Sequence, residues 1–155
     1  MATYVYLNDV AAFDSPSSKV VLTTADQKTE ICKKFSSDIS FFFIENGECR
    51  TTAFQVMLKS LKVDDVVILW DWRCLVRPNN LSTASADVWA KILEIHRLGA
   101  SLHFINGDNE TKTAKGRYLL TLSIAGAQFA YDQIVENTVC SSSSSTGCSS
   151  CISGS

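Results

Sequence analysis

What the 155-residue chain lacks already narrows its function. It has no basic surplus: 14 Lys and Arg against 16 Asp and Glu leave a net charge of -2. A domain that lives on DNA phosphates carries the opposite balance, so DNA binding is not expected. No apolar run reaches the length of about 18 residues that a spanning helix needs, so no membrane association is expected. The N-terminal MATYVYLNDV has neither a basic flank nor a long apolar stretch. No secretory leader is expected, and synthesis in the cytoplasm is. There are two histidines, His96 and His103, neither with a cysteine or carboxylate at zinc-site spacing. No metal and no cofactor are expected. What is present is 46% hydrophobic and 19% charged residues, the composition of one globular domain with a sizeable core.

The apolar pattern alternates between two periods. Thr3-Tyr4-Val5-Tyr6-Leu7, Ile39 to Ile44, Val66 to Trp70 and Ser101 to Ile105 read as buried strands. Between them, Ala25 to Phe35, the stretch from Thr52 through Phe54, Met57, Leu58 and Leu61, and the stretch through Val88, Ile92, Ile95 and Leu98 read as amphipathic helices. Gly99 sits where a left-handed helix stop belongs. Asn106 to Lys115 is polar and reads as a loop. Gly116 to Thr138 is the longest helical stretch. Alternation of this kind implies an α/β fold: a mainly parallel sheet of four or five strands flanked by helices, with a long C-terminal helix. Leu119, Leu122, Ile124, Ala127, Tyr131, Ile134 and Val135 spread over more of that helix than one sheet face covers, which points to a partner helix from a second subunit.

The composition changes at Val139. Residues 139–155 carry no charge and are mostly Ser, Gly and Cys, so the chain divides into a domain over 1–138 and a tail over 139–155. Three of the six cysteines, Cys140, Cys148 and Cys151, lie in that tail. Cys148 and Cys151 form a CxxC, but zinc wants four ligands and Cys140 adds only a third. Two readings stay open: disulfides between subunits or back to Cys49 or Cys32, and idle thiols on a flexible tail. Ser15, Ser17 and Ser18 flank Pro16 and read as turn residues. Trp70, Trp72 and Trp89 have no interleaved cations and read as packing residues rather than base-stacking ones. Lys112, Lys115 and Arg117 read as a solvated face.

The order of elements, with several segments in register, resembles the catalytic domain of the serine recombinases, the resolvase/invertase family. Asp64-Asp65-Val66-Val67-Ile68-Leu69-Trp70 resembles that family's Gly-Asp-strand segment. Leu93 to Ile105 is similar to its helix-Gly-strand segment. Lys115 to Thr138, with Ala127-Gln128 and Ile134-Val135-Glu136-Asn137-Thr138, resembles its dimerisation helix. The resemblance covers about residues 3 to 138.

At the positions that carry the family's chemistry the sequence departs from it. The family's Y-A-R-V-S stretch aligns with Tyr6-Leu7-Asn8-Asp9-Val10, so Asn8 stands for the arginine and Val10 for the serine nucleophile. The arginine before the second helix aligns with Thr51, and Arg50 lies one place off. The D-R-L-x-R stretch aligns with Arg73-Cys74-Leu75-Val76-Arg77, and only Arg77 keeps its register. Valine has no hydroxyl for a phosphoseryl intermediate, and each lost cationic donor costs about 10²–10³ in rate. The resemblance therefore implies a recombinase fold without an enzyme. The expected role is a self-associating structural protein, as a homo-oligomer, filament, lattice or inclusion, with disulfides forming in an oxidising setting or surface assembly. The alternative is an inert subunit that pairs with an active recombinase, and an active DNA recombinase ranks third.

Overall fold

The computed structural model describes residues 1–11, 20–35, 37–45, 52–76 and 81–143. Its strands are β1 (Thr3–Leu7), β2 (Val10–Ala11), β3 (Val20–Leu22), β4 (Phe41–Ile44), β5 (Val66–Leu69), β6 (Ser101–Phe104) and β7 (Asn109–Glu110). Its α-helices are α1 (Thr24–Phe35), α2 (Thr52–Ser60), α3 (Ala84–Arg97) and α4 (Ala114–Ser143). The main sheet has the order β4-β1-β5-β6-β7, parallel except for β7. β2 and β3 form a small antiparallel ribbon. This is the mainly parallel α/β sheet with a long C-terminal helix that the sequence pattern predicts.

Local chemistry sets the element ends. Thr23 caps α1: the Asp26 N–H donates to Thr23 Oγ1 (3.3 Å), and the Thr23 hydroxyl donates to Asp26 Oδ2 (2.8 Å). α3 stops at Gly99, whose φ is +78°. There Gly99 N–H donates to His96 O (2.9 Å) and Ala100 N–H to Ile95 O (3.3 Å), the paired bonds of a left-handed helix stop. Thr113 Oγ1 accepts the Gly116 N–H (3.1 Å) at the start of α4.

Alternating strand residues build two cores. Tyr4, Tyr6, Val67, Leu69, Leu102 and Phe104 face α2, α3 and α4 and meet Phe54, Met57, Val88, Ile92, Ile95, Leu120 and Ile124. Val5, Leu7 and Ile68 face α1 and meet Ile31. Trp72 is buried against the larger core, and Trp70 and Trp89 pack on it, as the packing reading expects.

Three features differ from the sequence pattern. The 106–115 stretch contains β7, which pairs with β6 (His103↔Glu110, Phe104↔Asn109). The turn between them uses two left-handed residues, Gly107 (φ +87°) and Asp108 (φ +48°). A two-residue strand is too short to show a period, so only Asn106-Gly107-Asp108 marks the hairpin. Second, α4 runs on to Ser143, past the change of composition at Val139. Hydroxyls of Thr138 and Ser141 donate back to Ile134 O and Asn137 O, which accommodates them in the helix. Third, Ile124, expected on the contact face of α4, is buried in this chain's own core and is not available to a partner.

Candidate functional site

The sheet's C-terminal edge is where an open α/β fold places its ligands. Asn8, just past β1, is buried there. Its Nδ2 donates to Cys74 O (3.0 Å), and its own carbonyl accepts from Gln27 Nε2 (2.6 Å). Gln27, fully buried on α1, also donates to Leu22 O (3.2 Å) and accepts from Cys74 Sγ (3.5 Å). Burial pushes the Cys74 thiol up to about 12, so at neutral pH it is protonated and unreactive. Asn8, Gln27 and Cys74 thus satisfy one another among the described residues.

The second half of this edge is the 3-10 turn Trp72–Leu75 after β5. Asp71 caps it, accepting from Arg73 N–H (3.2 Å). The same buried carboxylate takes Arg73 Nε (3.3 Å) and Nη2 (3.0 Å), and Asn106 Nδ2 (2.8 Å). Arg73 is therefore folded onto Asp71 and its charge is neutralised. Lys91 reaches in from α3 but donates to Leu75 O (2.7 Å). On the β4 side Glu45, also buried, accepts from Tyr6 Oη (3.2 Å) and from the Phe54 N–H near the start of α2 (2.8 Å). Burial, with Glu45 beside it, raises the Tyr6 phenol above its ordinary value.

Of the residues singled out in the sequence, the structure brings Asn8, Arg73 and Cys74 together. Val10 lies in β2, whose backbone pairs with Leu22 of β3. Thr51, Arg50, Arg77, Cys49, Cys148, Cys151, Ser15, Ser17 and Ser18 lie outside the described residues. Cys32 is half-buried on α1 and Cys140 is exposed on α4. Among the described residues no group of three metal-ligating side chains forms. No described helix is long and apolar enough to cross a membrane.

Sequence reasoning missed Gln27, Asp71, Asn106 and Glu45. A signal existed for Gln27, which precedes Ile31 by one helical turn on the buried stripe of α1 and is a polar residue in a core position.

α4 is joined to this edge as well. Trp72 Nε1 donates to Ser123 Oγ (3.1 Å). Gln128 accepts the Ser85 N–H (3.4 Å) at the start of α3 and donates to Ser82 O (3.5 Å). Leu120 and Ile124 are buried, and Ala127 and Tyr131 pack on the core. Leu119, Leu122, Ile134 and Val135 are not buried.

The Resolvase family (Resolvase, N terminal domain) matches residues 17–141, most of the chain. The chain belongs to this family. The resolvase match begins after β1, so Asn8 and Val10 are assigned to family positions by the resemblance alone. Among solved structures, the N-terminal catalytic domain of TP901-1 integrase is similar at 13% identity and a TM-score of 0.53, covering 86% of this chain and 98% of that one. A resolvase family site-specific recombinase from Streptococcus pneumoniae is similar at 15% identity and a TM-score of 0.54, covering 90% of this chain and 93% of that one. At such identity the likeness is one of resolvase fold. No curated protein matches the chain.

Proposed function

We propose that this resolvase-family domain has given up strand cleavage and works as a self-associating structural unit that meets a second copy through α4. The observation that carries the reading is the outer part of that helix. α4 has 30 residues and so is about 45 Å long. From Ala125 to Ser141 none of its residues is buried. Leu122 is 52% exposed, Phe129 67% and Val139 59%. Ala127, Gln128 and Tyr131 tie part of this stretch to the rest of the chain, and the apolar side chains exposed along it favour a partner. Cys140, exposed near the end of the same helix, is where a disulfide between copies would form under oxidising conditions.

The inert reading rests on the strand-end geometry. Asn8 and Val10 stand at the arginine and serine positions of the resemblance, and Arg73 is taken up by Asp71. Asp71, in turn, is occupied by Arg73 and Asn106, and Glu45 by Tyr6 and the Phe54 N–H.

Sedimentation of the full chain with and without reductant tests the first half. A dimer or larger species is expected, with Leu122→Glu plus Phe129→Glu shifting it to monomer while the circular dichroism spectrum stays native. A monomer at all concentrations overturns self-association. Trapping with recombination-site DNA tests the second half: no covalent adduct is expected, and a seryl-phosphate adduct overturns inertness. Pairing only with an active recombinase would favour the regulatory alternative.

A further inference from the structure

We infer that the pocket at the N-terminal ends of β5 and β6, at the opposite end of the sheet from Asn8 and Asp71, binds a phosphate group through Arg117, Lys112 and His96. The inference does not rest on the structural role proposed above.

The cavity measures about 240 Å³ and is lined by Asp64, His96, Ser101, Thr111, Lys112 and Arg117, among others. That is below the ~300–1,000 Å³ of sites for drug-sized ligands, and it suits a single group. Arg117 is held rather than loose. Its Nη1 donates to Thr111 O (2.8 Å) and to Lys112 O (3.1 Å), which uses both hydrogens of that nitrogen. Nε and Nη2 have no partner among the described residues, so a fixed fork edge remains, the geometry that matches two oxygens of one oxyanion. Neither Arg117 nor Lys112 forms an ion pair among the described residues, although Asp64 lines the same cavity.

His96 completes the set from α3. Thr111 is fully buried, and its Oγ1 accepts the Leu102 N–H (2.9 Å). Thr111 Oγ1 also lies 2.8 Å from His96 Nε2, and its hydroxyl donates to Leu102 O (3.5 Å). That contact fixes the His96 ring beside Arg117, where a bound phosphate would favour the protonated imidazole with a donor on each nitrogen. Burial and the Arg117 charge hold the imidazole below its ordinary pKa, and the cations Lys112 and Arg117 outnumber the one lining carboxylate, Asp64. The donors come from two helices and the segment between β7 and α4. Convergence from separate elements suits a tetrahedral acceptor better than a planar carboxylate.

Titration of the folded full chain with inorganic phosphate, followed by NMR of the His96 ring and the Arg117 Nε–H, tests this. A saturable shift with the same midpoint at both residues is expected, together with an upward shift of the His96 titration at saturation. Lys112→Gln and Arg117→Lys should each weaken binding about tenfold. Lys115→Gln should leave it unchanged, because Lys115 lines a separate cavity beside His103 and Glu110. Competition by a short DNA duplex would identify a phosphodiester as the source of the group. Failure of the duplex to compete would identify a free phosphate or phosphomonoester. A non-saturating response overturns the site, as does Lys115→Gln weakening binding as much as Lys112→Gln, which would mean diffuse surface charge. If Arg117→Lys unfolds the chain, Lys112→Gln decides alone, since the Lys112 side chain anchors nothing among the described residues.

Discussion

Gly116 and Gly126 lie ten positions apart on α4 and face opposite constraints. A Cβ on Gly116 would stand 1.9 Å from Glu110 O, a backbone atom of β7 that cannot move without the hairpin. A Cβ on Gly126 would meet nothing within 4 Å. Gly116→Ala should destabilise the fold by about 1–3 kcal/mol through overpacking. Gly126→Ala should stabilise it by about 0.5–1 kcal/mol through helix propensity. Urea denaturation of both variants measures the contrast, and equal effects would contradict the close approach of α4 to β7. Cys74 gives a second contrast. Its raised pKa and complete burial predict no alkylation by iodoacetamide in the native state, while Cys140, exposed on α4, reacts. Mass mapping of the labelled protein reads this directly.

Among the elements, β4 is an exposed apolar edge of the main sheet. It is an edge strand made of Phe41-Phe42-Phe43-Ile44, with Phe41 53% exposed, Phe42 38% and Ile44 37%. Tyr4 stacks on Phe41 (5.3 Å between ring centroids), and Lys28 sits over Phe42 (4.9 Å), so the aromatics are partly shielded. An apolar edge still invites strand-to-strand aggregation. Phe41→Thr keeps β-propensity and removes exposed apolar surface. Light scattering should show a higher concentration limit for a monodisperse solution, with the α4-dependent species unaffected. Loss of that species in Phe41→Thr would assign self-association to β4 instead of α4.

For the whole molecule, three titrating groups pull stability in one direction. Burial works against the Asp65 carboxylate, but the Ala2 and Lys62 N–H groups that donate to it, with the N-terminal and Lys62 charges, together hold its pKa below the usual range. The Lys34 hydrogen bond and charge lower Asp108. A carboxyl with a depressed folded pKa contributes stability above its unfolded value, about 3.9, and loses it as pH falls through the folded one. His96 is also depressed, by burial first and Arg117 second. Its protonation therefore favours the unfolded chain, and stability declines as pH drops below the unfolded value of about 6.5. Denaturation midpoints should fall in two steps on acidification, a shallow one below about pH 6.5 and a steeper one below about pH 4. His96→Gln should remove the first step and Asp65→Asn should reduce the second. Rising stability between pH 7 and pH 5 would refute the assignment.

Apolar runs were enough to place β1 and β5, which are buried against α1 on one side and the larger core on the other, and helical spacing placed the helices. Gly99 was legible as a helix stop because few other residues hold φ near +78°. The candidate site was legible only in part. Asn8 lies far in sequence from Arg73 and Cys74, and no local pattern joins them. That Asp71 takes the charge of Arg73, and that Gln27 seals Asn8 and Cys74, depends on contacts between strand ends and α1 that no local pattern encodes. The fate of α4 divides the same way. Composition showed a helix with apolar residues on much of its circumference, whereas packing against α3 and the sheet decided that Ile124 turns inward and Phe129 outward. Hydrophobic spacing is a property of one segment, while burial of a given side chain is settled by which neighbours the tertiary fold brings to it.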